Sequence, residues 1–165
     1  MRIARPFTLF ISFFIGMTSL YSHIALAQTA EAEALSKLSF IVGDWLGVSS
    51  SYENGEKIKS IPVREKVTYQ LEGNLINLVV SSPALKLQTI VRYSVEDEKY
   101  YYHPFTKNST GEYEGYLEGE KFIVKISETY RLTFEKTDTG FREFGTKLVK
   151  GEWVKNFQDD LYNIK

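Results

Sequence analysis

From Gly43 onward, apolar and polar residues alternate in short runs separated by turn residues at regular intervals. The stretch Val63-Arg64-Glu65-Lys66-Val67-Thr68-Tyr69-Gln70 has a period of two, as does Phe122-Ile123-Val124-Lys125-Ile126. That period is the mark of a half-buried strand. Turn signals fall at Asn54-Gly55, Glu72-Gly73-Asn74, Ser81-Ser82-Pro83, Glu96-Asp97-Glu98 and Lys107 to Gly111. They recur at Glu118-Gly119-Glu120, Thr137 to Gly140 and Lys150-Gly151, at a spacing of mostly about 10 to 14 residues. A further break at Ser127-Glu128-Thr129 separates Lys121–Ile126 from Tyr130–Lys136. The runs between are rich in Val, Ile, Tyr, Phe and Thr, which suit a pleated surface. The count is about nine or ten strands in one antiparallel meander. Only Gln28 to Leu38 reads as helix: its alanines and glutamates favour that state, and Leu35 and Leu38 mark its apolar side.

A long meander leaves unpaired backbone on its first and last strands, and closing it into a barrel removes both edges. The strand and turn lengths fit a closed up-and-down barrel of eight to ten strands, roughly the size that can hold a small ligand. A two-sheet sandwich needs longer crossover connections than this chain offers. The fold class expected is therefore all-β: one antiparallel barrel with a short N-terminal helix.

The start of the chain carries a different signal. Arg2 and Arg5 precede the apolar run Phe7 to Ile15, and Ala25-Leu26-Ala27 forms an A-x-A cleavage sequence. Residues 1–27 are thus expected to be a signal peptide and 28–165 the working domain, periplasmic or secreted. Once the leader is cleaved, no stable membrane insertion is expected. The 165 residues carry a net charge of −1, and losing Arg2 and Arg5 with the leader brings it to −3. A mildly acidic chain has no electrostatic attraction to a phosphate backbone, so nucleic acid is not an expected partner. There is no cysteine, which rules out disulfides, thiolate catalysis, Fe–S clusters and cysteine zinc sites.

The most specific motif is Leu38-Ser39-Phe40-Ile41-Val42-Gly43-Asp44-Trp45-Leu46-Gly47, where a short helix runs into Gly-x-Trp at the head of the first strand. It resembles the opening of calycin-superfamily barrels, and more closely that of exported bacterial domains with a lipocalin-like barrel. The run Gly111 to Phe122 is similar to their central Gly-rich hairpin, and Gly151-Glu152-Trp153 to their last turn. The resemblance implies that Gly43 and Trp45 form a structural plug at the barrel floor, with Arg131 or Arg142 the arginine that stacks on the tryptophan. A large indole with one N–H suits such a place, provided the N–H finds a carbonyl.

His103 is the only histidine after the leader, in Tyr100-Tyr101-Tyr102-His103-Pro104-Phe105. A lone histidine builds neither a His-rich metal site nor a triad without a nucleophile elbow, so no metal and no catalytic residue are expected. Haem-carrying relatives of the barrel place their histidine near the chain end, and Gly151 to Lys165 holds none, so no cofactor is expected. Ten tyrosines follow the leader and serve strand pairing or a cavity for amphipathic molecules equally well. If a cavity exists, Arg92, Tyr93, Tyr102, His103 and Tyr113 are the expected lining residues. The acidic clusters at Glu96-Asp97-Glu98 and Asp159-Asp160 are expected to be solvated charge at a turn and at the chain end.

The expected function is non-catalytic binding of a small hydrophobic or amphipathic ligand. Two alternatives stand beside it: an envelope interaction or assembly factor with a filled barrel, and an acid–base enzyme on the same barrel. The state of the interior separates them.

Overall fold

The computed structural model describes residues 30–164; the expected signal peptide lies outside them. Helix α1 (30–36) leads through a 3₁₀ turn at Ser39–Ile41 into ten strands. These are β1 Gly43–Glu53, β2 Glu56–Gln70, β3 Leu75–Ser81, β4 Lys86–Ser94 and β5 Lys99–Phe105. They continue as β6 Tyr113–Glu118, β7 Lys121–Ser127, β8 Tyr130–Lys136, β9 Gly140–Val149 and β10 Glu152–Asn163. Each strand pairs antiparallel with the next, and β1 also pairs with β10, so the sheet is a closed up-and-down barrel. No helix among the described residues is long and apolar enough to cross a membrane.

The turns form where the sequence places them, for conformational reasons. Asn54-Gly55 and Lys150-Gly151 both hold two consecutive residues at positive φ, 51° and 83° in the first and 53° and 88° in the second. That is the pairing a two-residue hairpin needs to match the twist of its strands, and glycine takes the second place at no steric cost.

Alternation then sorts the side chains. On β2, Val63, Glu65 and Val67 are buried while Arg64 and Lys66 are exposed. On β5, Tyr100 and Tyr102 are buried on the inner face. The core is thickest at one end of the barrel, where β1 enters and β10 leaves. There Leu35 and Leu38, both 0% exposed, dock from α1 and the chain that follows it onto Trp45, Phe122, Phe134 and Phe141. Three side chains from the sheet bond to carbonyls of this N-terminal segment. Tyr100 Oη donates to Ala34 O at 2.8 Å, Trp45 Nε1 to Ile41 O at 2.8 Å, and Tyr69 Oη to Leu35 O at 3.5 Å. The Ala34 and Leu35 carbonyls also accept from Lys37 N–H and Leu38 N–H in the last turn. The side-chain bonds thus tie an already formed turn to the sheet and fix the segment as the stopper of that end.

Trp45 is 4% exposed and meets Phe141 edge-on, with ring centroids 5.0 Å apart. A Cβ on Gly43 would lie 3.1 Å from the Trp45 ring, and one on Gly140 would lie 2.1 Å from the Leu161 carbonyl oxygen. Neither candidate arginine lies on Trp45. Arg131 sits over Trp153, 4.3 Å from the ring, and Arg142 bonds Asp160 at 2.7 Å and Glu135 at 3.2 Å. The reason is alternation: Leu132, Phe141 and Glu143 point inward, which sends Arg131 and Arg142 to the outer face.

Candidate functional site

With one end stoppered, the opposite end is where β1–β2, β3–β4, β5–β6, β7–β8 and β9–β10 turn. A half-open cavity of about 380 Å³ lies there. Leu85, Leu87, Ile126, Leu132 and Phe157 supply apolar walls, and Tyr102, Tyr113 and Tyr130 add aromatic surface with polar tips. Ser49, Glu143 and Asp159 reach the same cavity from β1, β9 and β10. The lining is therefore apolar with polar groups gathered on one side, the pattern of a small-molecule site.

Those polar groups belong to a cluster that extends behind the cavity. Glu65, Glu143 and Asp159 each bring a carboxylate oxygen to within 4.8 Å of the others, and all three are buried. Glu143 and Asp159 are direct cross-strand partners on β9 and β10. Like charges in that relation repel. Glu65 comes from β2, on the far side of β1, where it stands opposite Trp45, and the small Gly47 and Ser49 follow Trp45 on the same face of β1. Gly47 is tightly held, since a Cβ there would lie 2.0 Å from the Asp160 carbonyl oxygen.

The electrostatics follow from burial and mutual repulsion. Loss of hydration raises the Glu65 carboxyl to about 8, with the Asp159 charge adding to the rise. Burial likewise pushes Glu143 well above its ordinary value, helped by Glu65 and Asp159. Asp159 rises to about 6, mainly through burial, with a hydrogen bond from Ser49 working against the rise. Burial and then the Glu143 charge hold the Tyr102 hydroxyl well above the usual phenol range. Both Glu65 oxygens and Asp159 Oδ1 are buried without a hydrogen-bond partner. No lysine or arginine is among the groups that shift these three carboxyls. The cluster is a group of acids in an apolar shell with no cation among the groups that shift it: it holds protons, or it holds a cation. Three hard oxygen donors are chemically suited to a divalent metal or to an ammonium group.

The residues expected from sequence divide three ways. Tyr102 and Tyr113 line the cavity. Tyr93 is partly buried toward the stoppered end, where its ring meets Tyr100 at 4.9 Å. Arg92 and His103 lie outside the cavity: Arg92 packs 4.2 Å over the Tyr101 ring, and His103 Nδ1 faces a Glu112 carboxylate oxygen at 3.4 Å. Their place follows from parity, since Val91 and Tyr102 take the inward positions beside them.

Asp159 is a correction. It is not solvated chain-end charge but 6% exposed, because β10 runs on to Asn163 and alternation turns Phe157, Asp159 and Leu161 inward. Its neighbour Asp160 behaves differently and pairs with Arg142 outside. Neither Glu65 nor Glu143 is among the site residues expected from the sequence. The signal was present in the sequence: Glu65 stands between Val63 and Val67, a carboxylate at an apolar beat. No family model matches the chain, and no curated protein matches it.

Proposed function

We propose that this chain is an exported, lipocalin-like barrel protein that binds a small amphipathic molecule without transforming it. The observation that carries this reading is the half-open, mainly apolar cavity at one end of a barrel whose other end is stoppered. A closed sheet offers no edge for strand addition, so recognition falls to the open mouth and interior. A barrel filled with side chains, as an assembly factor of this shape would need, leaves no such space. An acid–base enzyme that joins His103 to the carboxylates is disfavoured, because the histidine lies outside the cavity and faces Glu112. Export rests on the basic start, apolar run and A-x-A sequence of residues 1–27. Kinship with lipocalin-like domains rests on the Gly43-Asp44-Trp45 motif and the up-and-down closure.

The test is binding of N-phenyl-1-naphthylamine, a neutral amphipathic dye that brightens in apolar surroundings. Wild type should enhance its emission saturably with one site per chain. Ile126→Trp, which fills the cavity from β7, should reduce binding while the fold persists by circular dichroism. Equal binding by both proteins, or none by wild type, would remove the cavity from consideration as a ligand site.

A further inference from the structure

The cavity and the carboxylate cluster adjoin each other, and their chemistry narrows the ligand. We propose that the site selects an amphipathic amine, with its ammonium head against Glu143, Asp159 and Glu65 and its apolar body along Leu87, Ile126, Leu132 and Phe157. This inference rests on the cavity reading above and names the class of molecule.

Three observations point the same way. First, Glu65 is 0% exposed and both its oxygens lack a hydrogen-bond partner, although one of them lies within 4.8 Å of oxygens from Glu143 and Asp159. A buried carboxylate with no partner costs free energy that a donor of matching charge recovers. An ammonium group has three N–H donors, and the cluster has three carboxyl groups to receive them. Second, the groups acting on the cluster from the elements around it are acids and hydroxyls: Asp160 on β10, Ser49 on β1, and Tyr102 and Tyr130 nearby. The cations Arg142 and Lys155 act on Asp160 and not on the three buried carboxyls. The positive charge that would balance the site is therefore open to a ligand. Third, the space in front of Glu143 and Asp159 is about 380 Å³ with walls mostly of carbon. A metal ion with its water shell would use the carboxylates but leave those walls wet. An organic cation uses both.

Asp159 and Glu143 are reached from the cavity, so the head can meet them directly, with Glu65 behind. The amine enters already protonated. Protons held among the carboxyls pass to solvent as it binds, so charge is conserved and no bond other than O–H is broken.

The experiment uses the mature chain, residues 28–165, with three eight-carbon probes in calorimetry at neutral pH. These are octylamine, octanol and octanoate, with calcium chloride and magnesium chloride as separate titrants. Octylamine should bind at least about tenfold more tightly than octanol, as a charge-assisted hydrogen bond supplies, and octanoate should bind most weakly. Glu143→Gln and Asp159→Asn, each checked for an intact thermal transition, should bring octylamine close to octanol. Equal affinity of octanol and octylamine in wild type would overturn the amine assignment while leaving an apolar ligand site in place. Tight calcium or magnesium binding that excludes octylamine would also overturn it, because the carboxylates would then be a metal site. Failure of all three probes, together with failure of the neutral dye, would sink the cavity reading itself.

Discussion

Tyr100 reaches from β5 to α1 and donates its hydroxyl proton to the Ala34 carbonyl oxygen at 2.8 Å, across 66 residues of sequence. It is the longest-range of the three bonds that hold the N-terminal segment in the barrel's end. Tyr100 also packs between Tyr93 and Phe122, at 4.9 and 5.4 Å. Burial pushes its hydroxyl up to about 12, so the donor keeps its proton at any ordinary pH.

Replacing Tyr100 with phenylalanine keeps the ring contacts and removes only the donor. The expected cost is about 1 kcal/mol, because the Ala34 carbonyl keeps its bond from Lys37 N–H. Because the bond ties α1 to the sheet, amide exchange in 30–38 should quicken more than exchange in the strands. Uniform loss of protection across the barrel would show instead that Tyr100 supports the sheet and not the stopper.

Trp45 loses far more when truncated, since it fills space between Phe141 and the segment ending at Ile41. Trp45→Ala should cost on the order of 3–5 kcal/mol. Chemical denaturation should register that as a large drop in midpoint. His103→Ala, which truncates a partly buried side chain outside the cavity, should cost about 1 kcal/mol, well short of the tryptophan. A Trp45→Ala protein as stable as wild type would strip the Gly-x-Trp motif of its structural meaning.

Glu65 makes stability depend on pH in a defined direction. Its carboxyl titrates near 4.5 when unfolded and near 8 when folded. Between those values the folded state binds more protons than the unfolded one, so stability falls as pH rises. The contribution is fully present below about 4.5 and lost by the time pH passes 8. Glu143 and Asp159 act with the same sign, Asp159 between its ordinary value and about 6. Thermal melts of the ligand-free protein should therefore show a melting temperature that declines from pH 5 to pH 8. Glu65→Gln should flatten that decline, keeping on the order of 1–3 kcal/mol at pH 8 that wild type loses. A parallel decline in both proteins would mean that Glu65 is ionised and already compensated in the folded state.

The strands, their turns and most of the inward faces were legible in the chain alone. Period two is a local property, and Asn54-Gly55 or Lys150-Gly151 imposes its turn through backbone sterics whatever surrounds it. The helix and its Leu35 and Leu38 were equally local. Even the inward place of Tyr102 and Tyr113 follows from alternation within one strand. Arg92 and His103 could have been turned outward by the same rule, since each alternates with a buried neighbour.

What alternation cannot supply is which inward residues from different strands share a level in the barrel. Glu65, Glu143 and Asp159 are separated by up to 94 positions in sequence, and each alone reads as an ordinary charge on a strand. They meet because β1 closes on β10 in a register that sets Ser49 opposite Asp159 and Trp45 opposite Asn163. Glu65, opposite Trp45 on β1, brings its carboxylate to the same place. Closure, register and the stagger between strands are decided by the packing of the whole sheet, through many weak pairings at once. The sequence by itself thus determined the elements and their two faces; only the tertiary structure decided that three of its acids would share one buried site.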